Sequence, residues 1–97
     1  MTAPGAAPVH ERVVWQGLDC HELRLPDGDR VLVSEYGGQV LSWVSRGRER
    51  LYLSPLAALD GRAAIRGGIP VCWPQFSDRG PLTRHGWVRQ SRWHFVR

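Results

Sequence analysis

The chain has 97 residues and a formal charge of +4, with two cysteines and neither lysine nor asparagine. That length holds one domain at most, and 42% apolar residues supply a modest core. It has no apolar run of membrane-spanning length, and Cys20 and Cys72 are too far apart for a C-x-x-C metal clip. Both cysteines therefore read as buried free thiols. No basic region followed by an apolar stretch marks a secretory leader, so the expected address is the cytoplasm.

Residues 1–10 form a Pro/Ala/Gly tail, expected to be mobile with His10 in solvent, and residues 11–97 form the β domain. Val13, Val14 and Trp15 start a strand that Gly17 ends. Asp19 to Leu25 alternates, with His21, Leu23 and Leu25 on one face and Cys20, Glu22 and Arg24 on the other. P-D-G-D then marks a hairpin, and Arg30 to Tyr36 is the return strand. Gly37-Gly38 breaks it, Gln39 to Ser45 resumes, R-G-R-E-R turns, and Leu51 to Leu53 is a further short strand. Pro55 to Ala64 has room for one helical turn at most. The run Ile69 to Trp73 suits a buried strand. A polar loop follows, and a last strand from Ser91 carries Trp93 and Phe95. Trp15, Trp43 and Trp93 are expected in the core, and His21 and His94 read as structural.

The charge is unevenly placed. Residues 1–61 hold six arginines and eight acids, whereas residues 62–97 hold seven arginines and one acid, Asp78. An anionic ligand is implied at the second part. There R-G-G-I-P-V-C-W-P-Q-F is followed by a loop and by R-H-G-W-V-R. Gly67 and Gly68 allow close backbone approach. Arginine forks onto phosphate or paired hydroxyls, and Trp73 and Trp87 are candidate walls for a sugar. Arg66, Arg84, His85 and Arg89 are the candidate binding residues. The bland alternatives are a structural ion pair for each arginine and a backbone-satisfied turn for His85.

The meander followed by I-R-G-G-I-P-V-C-W-P-x-F and then H-G-x-x-R resembles the D-hexose-6-phosphate mutarotases, or glucose-6-phosphate 1-epimerases, of the aldose 1-epimerase superfamily. The resemblance spans about residues 30–97, and its specific part runs from Arg66 to Arg89. It implies an all-β fold: the N-terminal part of a galactose-mutarotase-like antiparallel β-sandwich, left incomplete by these residues. It also implies a cofactor-independent isomerase, without metal, acting on a hexose 6-phosphate. Its partners would include neither nucleic acid nor membrane, and the complete protein would be monomeric. Arg66 and Arg89 match substrate-binding positions of the family. Arg84 stands where relatives often carry a substrate-binding glutamine, and an arginine there still suits an anionic sugar. The catalytic acid (a histidine) and base (a glutamate) of the family match no position here. None of the 97 residues is therefore assigned as catalytic, His85 being a possible auxiliary, and the chain alone is expected to be inactive.

Mutarotation needs a base to take the anomeric proton and an acid to protonate the ring oxygen. Each such group contributes typically 10²–10⁴-fold. Guanidinium stays protonated, so the arginines supply orientation rather than proton transfer. Two other readings share these residues. One is a non-catalytic phosphosugar-binding β module. The other is a basic β domain that stacks nucleic-acid bases, which the clustering of arginines around a Gly-Gly-Ile-Pro turn disfavours.

Overall fold

The computed structural model describes residues 7–96; the expectations for residues 1–6 and for Arg97 lie outside them. Five antiparallel strands form one sheet in chain order: β1 (Val9–Trp15), β2 (Leu18–Arg24), β3 (Arg30–Ser34), β4 (Val40–Ser45) and β5 (Arg48–Glu49). The fold is all-β, as the alternating pattern indicates. Short-range chemistry sets the hairpins. Gln16-Gly17 and Arg46-Gly47 join strands as two-residue loops with positive φ at both positions, which matches strand twist. At Pro26–Asp29 the Gly28 N–H donates to the Leu25 carbonyl at 3.0 Å and the Leu25 N–H to the Asp29 carbonyl at 2.8 Å.

β1 begins at Val9, earlier than the sequence indicates. His10 is thus a strand residue opposite Leu23, although its side chain is exposed as expected. The buried apolar residues are Leu18, Cys20, Leu32, Leu41 and Ile65, with Val13, Trp15, Tyr36 and Leu53 packed against them. A bulge makes this possible. Leu32 pairs with Ser42 but Val33 with Val40, so Leu41 is the extra residue and turns inward. Burial, with help from Asp19 and Glu35, pushes the Cys20 thiol up to about 11. Cys72 is only partly buried, contrary to expectation.

Beyond β5 the chain is mostly irregular, and several sequence expectations fail there for one reason. A ladder needs consecutive free N–H groups. Pro70 interrupts the run Ile69 to Trp73, which pairs only through isolated bridges, Ile69 with Val40 and Trp73 with Gly86. Leu51 to Leu53 is reduced to a bridge from Leu53 to Gly67, and Pro55 to Ala64 forms turns and bends. In place of a last strand there is one bridge, Arg92 to Tyr36, because Gly37 and Gly38 turn the partner segment away at φ 77° and 57°. With one sheet among the described residues, tryptophans on the other face stay open. Trp43 and Trp93 are 46% and 41% exposed instead of lying in the core. No helix of the described residues is long and apolar enough to cross a membrane.

Candidate functional site

The short segment Gly37 to Val40, which leads from β3 into the start of β4, carries both arginine-bearing stretches. On one side the Gly37 N–H donates to the Ser91 carbonyl at 2.7 Å. A Cβ on Gly37 would collide with the Arg89 carbonyl, and one on Gly38 with the Trp93 ring. On the other side the Ile69 N–H donates to the Val40 carbonyl at 2.9 Å. Gly68, at φ 62°, lies so close that a Cβ would collide with the same carbonyl. Gly67, at φ 122°, packs against Tyr52 and Leu53, where a Cβ would collide with the Tyr52 carbonyl. These glycines let the R-G-G turn lie flat on β4.

Arg66 projects from that turn with an exposed side chain. Arg89, in the single 3-10 turn Val88–Gln90, is half-buried. Its Nη2 donates to the Arg84 carbonyl at 3.4 Å, while its Nε is buried without a partner. Neither arginine has a carboxylate partner among the described residues. Arg84 differs: it pairs with Asp78 at 3.6 Å, with both side chains exposed. His85 follows at φ 63°, and its Nδ1 accepts the Ser77 N–H at 3.0 Å. That fixes Nδ1 as an acceptor and leaves Nε2 as the nitrogen free to meet a ligand. The structure thus shows the backbone-satisfied turn that is the bland reading of His85. Arg84, His85 and Arg89 lie on one connected loop, while the Arg66 turn packs on the other side of the Gly37–Val40 segment.

Three residues escaped the sequence reading. Gln75 is buried and closes the polar loop: its Nε2 donates to the carbonyls of Ser77 (2.8 Å) and Leu82 (3.1 Å), and its Oε1 accepts the Leu82 N–H. Gln39 is fully buried beneath the Arg66 turn. Glu35 is buried at the centre of a charged cluster. It accepts Arg12 Nε at 3.0 Å, His21 Nε2 at 2.8 Å and Arg92 Nη2 at 2.8 Å. Asp19 takes the other side of both arginines. The hydrogen bonds from Arg12, His21 and Arg92 hold the Glu35 carboxyl down to about 2, against desolvation. His21 Nδ1 lies 2.7 Å from His10 Nε2, and Phe95 stacks on the His21 ring and lies tilted against that of His10. The only signal for Gln39 and Gln75 was a polar residue beginning or ending an apolar run.

A concavity of about 690 Å³ opens on the core face between Val13, Glu22, Leu32, Glu49 and Leu53, and none of the four candidate residues lines it. Among the described residues no three His, Cys, Asp or Glu side chains gather to hold a metal ion.

The family model for aldose 1-epimerase matches residues 19–97, from β2 through the whole of both motifs. The chain belongs to the aldose 1-epimerase family. A Cenchrus ciliaris protein named "putative glucose-6-phosphate 1-epimerase" is 51% identical over 86 residues, covering 86% of this chain and 23% of that protein. An Escherichia coli K12 protein of the same name is 42% identical over 60 residues, covering 59% and 20%. This chain thus spans about a fifth to a quarter of the length of these relatives. The crystal structure of HI1317 superposes at a TM-score of 0.69 with 24% identity, over 94% of this chain and 37% of that one. That likeness establishes the fold shared with a longer β protein.

Proposed function

We propose that this chain carries the substrate-binding part of a hexose-6-phosphate mutarotase, which interconverts the anomers of glucose 6-phosphate or a related aldohexose 6-phosphate. The observation that carries the reading is the pair Arg66 and Arg89. Among the described residues neither arginine has a carboxylate partner, the backbone around each packs on the Gly37–Val40 segment, and the relatives' names point to a phosphorylated sugar. An arginine kept free of internal acids retains its full charge and fork for an external anion.

In this reading Arg66 and Arg89 bind the phosphate and hydroxyls, Arg84 adds positive field at the rim, and the His85 Nε2–H donates to a ring or hydroxyl oxygen. None of these groups moves the protons of ring opening. That work falls to a histidine acid and a glutamate base outside these 97 residues, so the chain binds without turning over. The protein acts in the cytoplasm as a monomer and needs no cofactor.

The test is calorimetric titration with glucose 6-phosphate and with glucose, paired with NMR exchange spectroscopy between the α and β anomers. The phosphate ester is expected to bind at least about tenfold tighter, as a charge-assisted contact of about 1.5–3 kcal/mol requires. Equal affinity for the two sugars would overturn the phosphate assignment. Accelerated anomer exchange by the chain itself would overturn the assignment of the acid and base elsewhere.

A further inference from the structure

Gln39 is wholly buried, yet its side chain is polar and only half satisfied. Its Nε2 donates to the carbonyls of Ile65, at 3.0 Å, and Gly67, at 2.5 Å. Those are the residues on either side of Arg66. Two carbonyl oxygens as neighbours also fix which end of the amide is which, because a reversed amide would set oxygen against oxygen. The remaining atom, Oε1, is buried without a partner. An apolar residue of similar size would leave no such orphan acceptor, so the position is explained by the two donors, not by filling space.

The rest of the turn is pinned in the same manner. The Arg66 carbonyl accepts the Ser54 N–H at 2.9 Å, and the Gly68 N–H donates to the Tyr52 carbonyl at 2.7 Å. Three successive carbonyls, 65 to 67, are therefore bonded, while the guanidinium between them is exposed. The backbone of Arg66 is fixed and its side chain is free. We infer that Gln39 is a positioning residue for Arg66: its buried amide clamps the two carbonyls flanking the arginine and so sets where the guanidinium meets the anionic group of the ligand. The inference rests on the binding role proposed for Arg66, but the clamp itself can be tested without any sugar.

The ligand-free test is ¹⁵N relaxation on the Arg66 and Gly67 amides in wild type, in Gln39→Leu and in the isosteric Gln39→Glu. Order parameters are expected to fall from about 0.85 to below about 0.6 in both variants, while the strands keep theirs. Unchanged order parameters in the turn would overturn the clamp, whatever the protein binds. Where the variants do not fold, side-chain amide exchange in wild type decides. Both Gln39 Nε2 protons should be protected, and rapid exchange overturns the clamp. The functional arm is a double-mutant cycle read by glucose 6-phosphate titration. Gln39→Leu is expected to weaken binding about tenfold alone and in an Arg89→Ala background, but less than twofold when Arg66 is already alanine. A tenfold loss that persists without Arg66 would show that Gln39 acts elsewhere. Absence of binding by wild type would instead strike at the proposed function and leave the relaxation result standing.

Discussion

Arginine serves two opposite purposes in this small sheet. At one site Arg12 and Arg92 converge on Glu35 and Asp19, and every partner lies within 3.3 Å. At the other, Arg66 and Arg89 are held through backbone and glycine contacts, with no carboxylate partner among the described residues. The first arrangement spends charge on joining Arg92, late in the chain, to β1 and β2. The second leaves its charge uncompensated, which is what the proposed anion binding rests on. Residue type alone does not separate the two. What separates them is the distance to an acid, and folding alone sets that distance.

The largest effect is expected where the free arginines depend on backbone. Gly68→Ala forces a Cβ onto the Val40 carbonyl at a positive φ, combining left-handed strain with overpacking against backbone that cannot yield. A loss of about 3 kcal/mol or more follows from adding the two. Gly17→Ala is the matched control. Its φ is 83° but nothing lies within 4 Å, so the cost should be limited to the roughly 1–2 kcal/mol of the backbone conformation. Chemical denaturation of both variants checks this, and equal losses would remove the special role of the close approach.

The paired site should reveal itself in acid. The Glu35 carboxyl titrates at about 2 in the fold, against an ordinary value of 4.5. Between those values the unfolded chain binds more protons than the folded one. The stability it contributes is therefore complete above about pH 4.5 and is lost as pH falls towards about 2. Thermal melts across that window should show a steep acid limb. Glu35→Gln should lower the melting temperature at pH 6 and flatten the limb, whereas Arg66→Ala should leave its shape intact. Parallel acid limbs in wild type and Glu35→Gln would mean that the cluster contributes nothing to acid stability.

The crossed substitutions sharpen the contrast. Arg66→Ala and Arg89→Ala should each weaken glucose 6-phosphate binding about tenfold to a hundredfold while changing glucose binding little, since charge-assisted contacts amount to about 1.5–3 kcal/mol. Arg66→Ala should also leave stability within about 0.5 kcal/mol. Arg92→Ala should do the reverse, lowering stability without touching affinity. A stability loss from Arg66→Ala, or an affinity loss from Arg92→Ala, would merge the two classes.

How much of this was legible beforehand follows the same division. The meander from β2 to β4 could be read because alternation and X-Gly turns are local signals, and the two motifs could be read because their residues are contiguous. β5 could not, since Arg48–Glu49 lies inside the polar R-G-R-E-R stretch that reads as a turn. The Glu35 cluster could not. Its members come from β1, β2, the end of β3 and a segment 57 residues beyond Glu35, and nothing in a single stretch announces them. Gln39 was equally silent, since its meaning lies in carbonyls 26 and 28 residues away. The Ile69 to Trp73 and Ser91 to Phe95 runs were misread as strands for another reason. Their apolar pattern is real, but Pro70 in one case and the Gly37-Gly38 turn in the other deny them a ladder.

Arg84 tests the boundary between the two classes with the smallest expected change. Its guanidinium faces Asp78 at 3.6 Å with both side chains mostly in water, so the pair is worth about 0–1 kcal/mol. The part of Arg84 that serves Arg89 is its carbonyl, which accepts Arg89 Nη2. Alanine keeps that carbonyl. Arg84→Ala should therefore leave the melting temperature nearly unchanged and weaken glucose 6-phosphate binding by less than about threefold, the loss expected of a screened rim charge. The residual effect should vanish when the titration is repeated in high salt. A loss above tenfold that persists in salt would make Arg84 a third ligand arm, drawn off Asp78 when the anion arrives, and its ion pair would then be a resting state instead of a fixture of the fold.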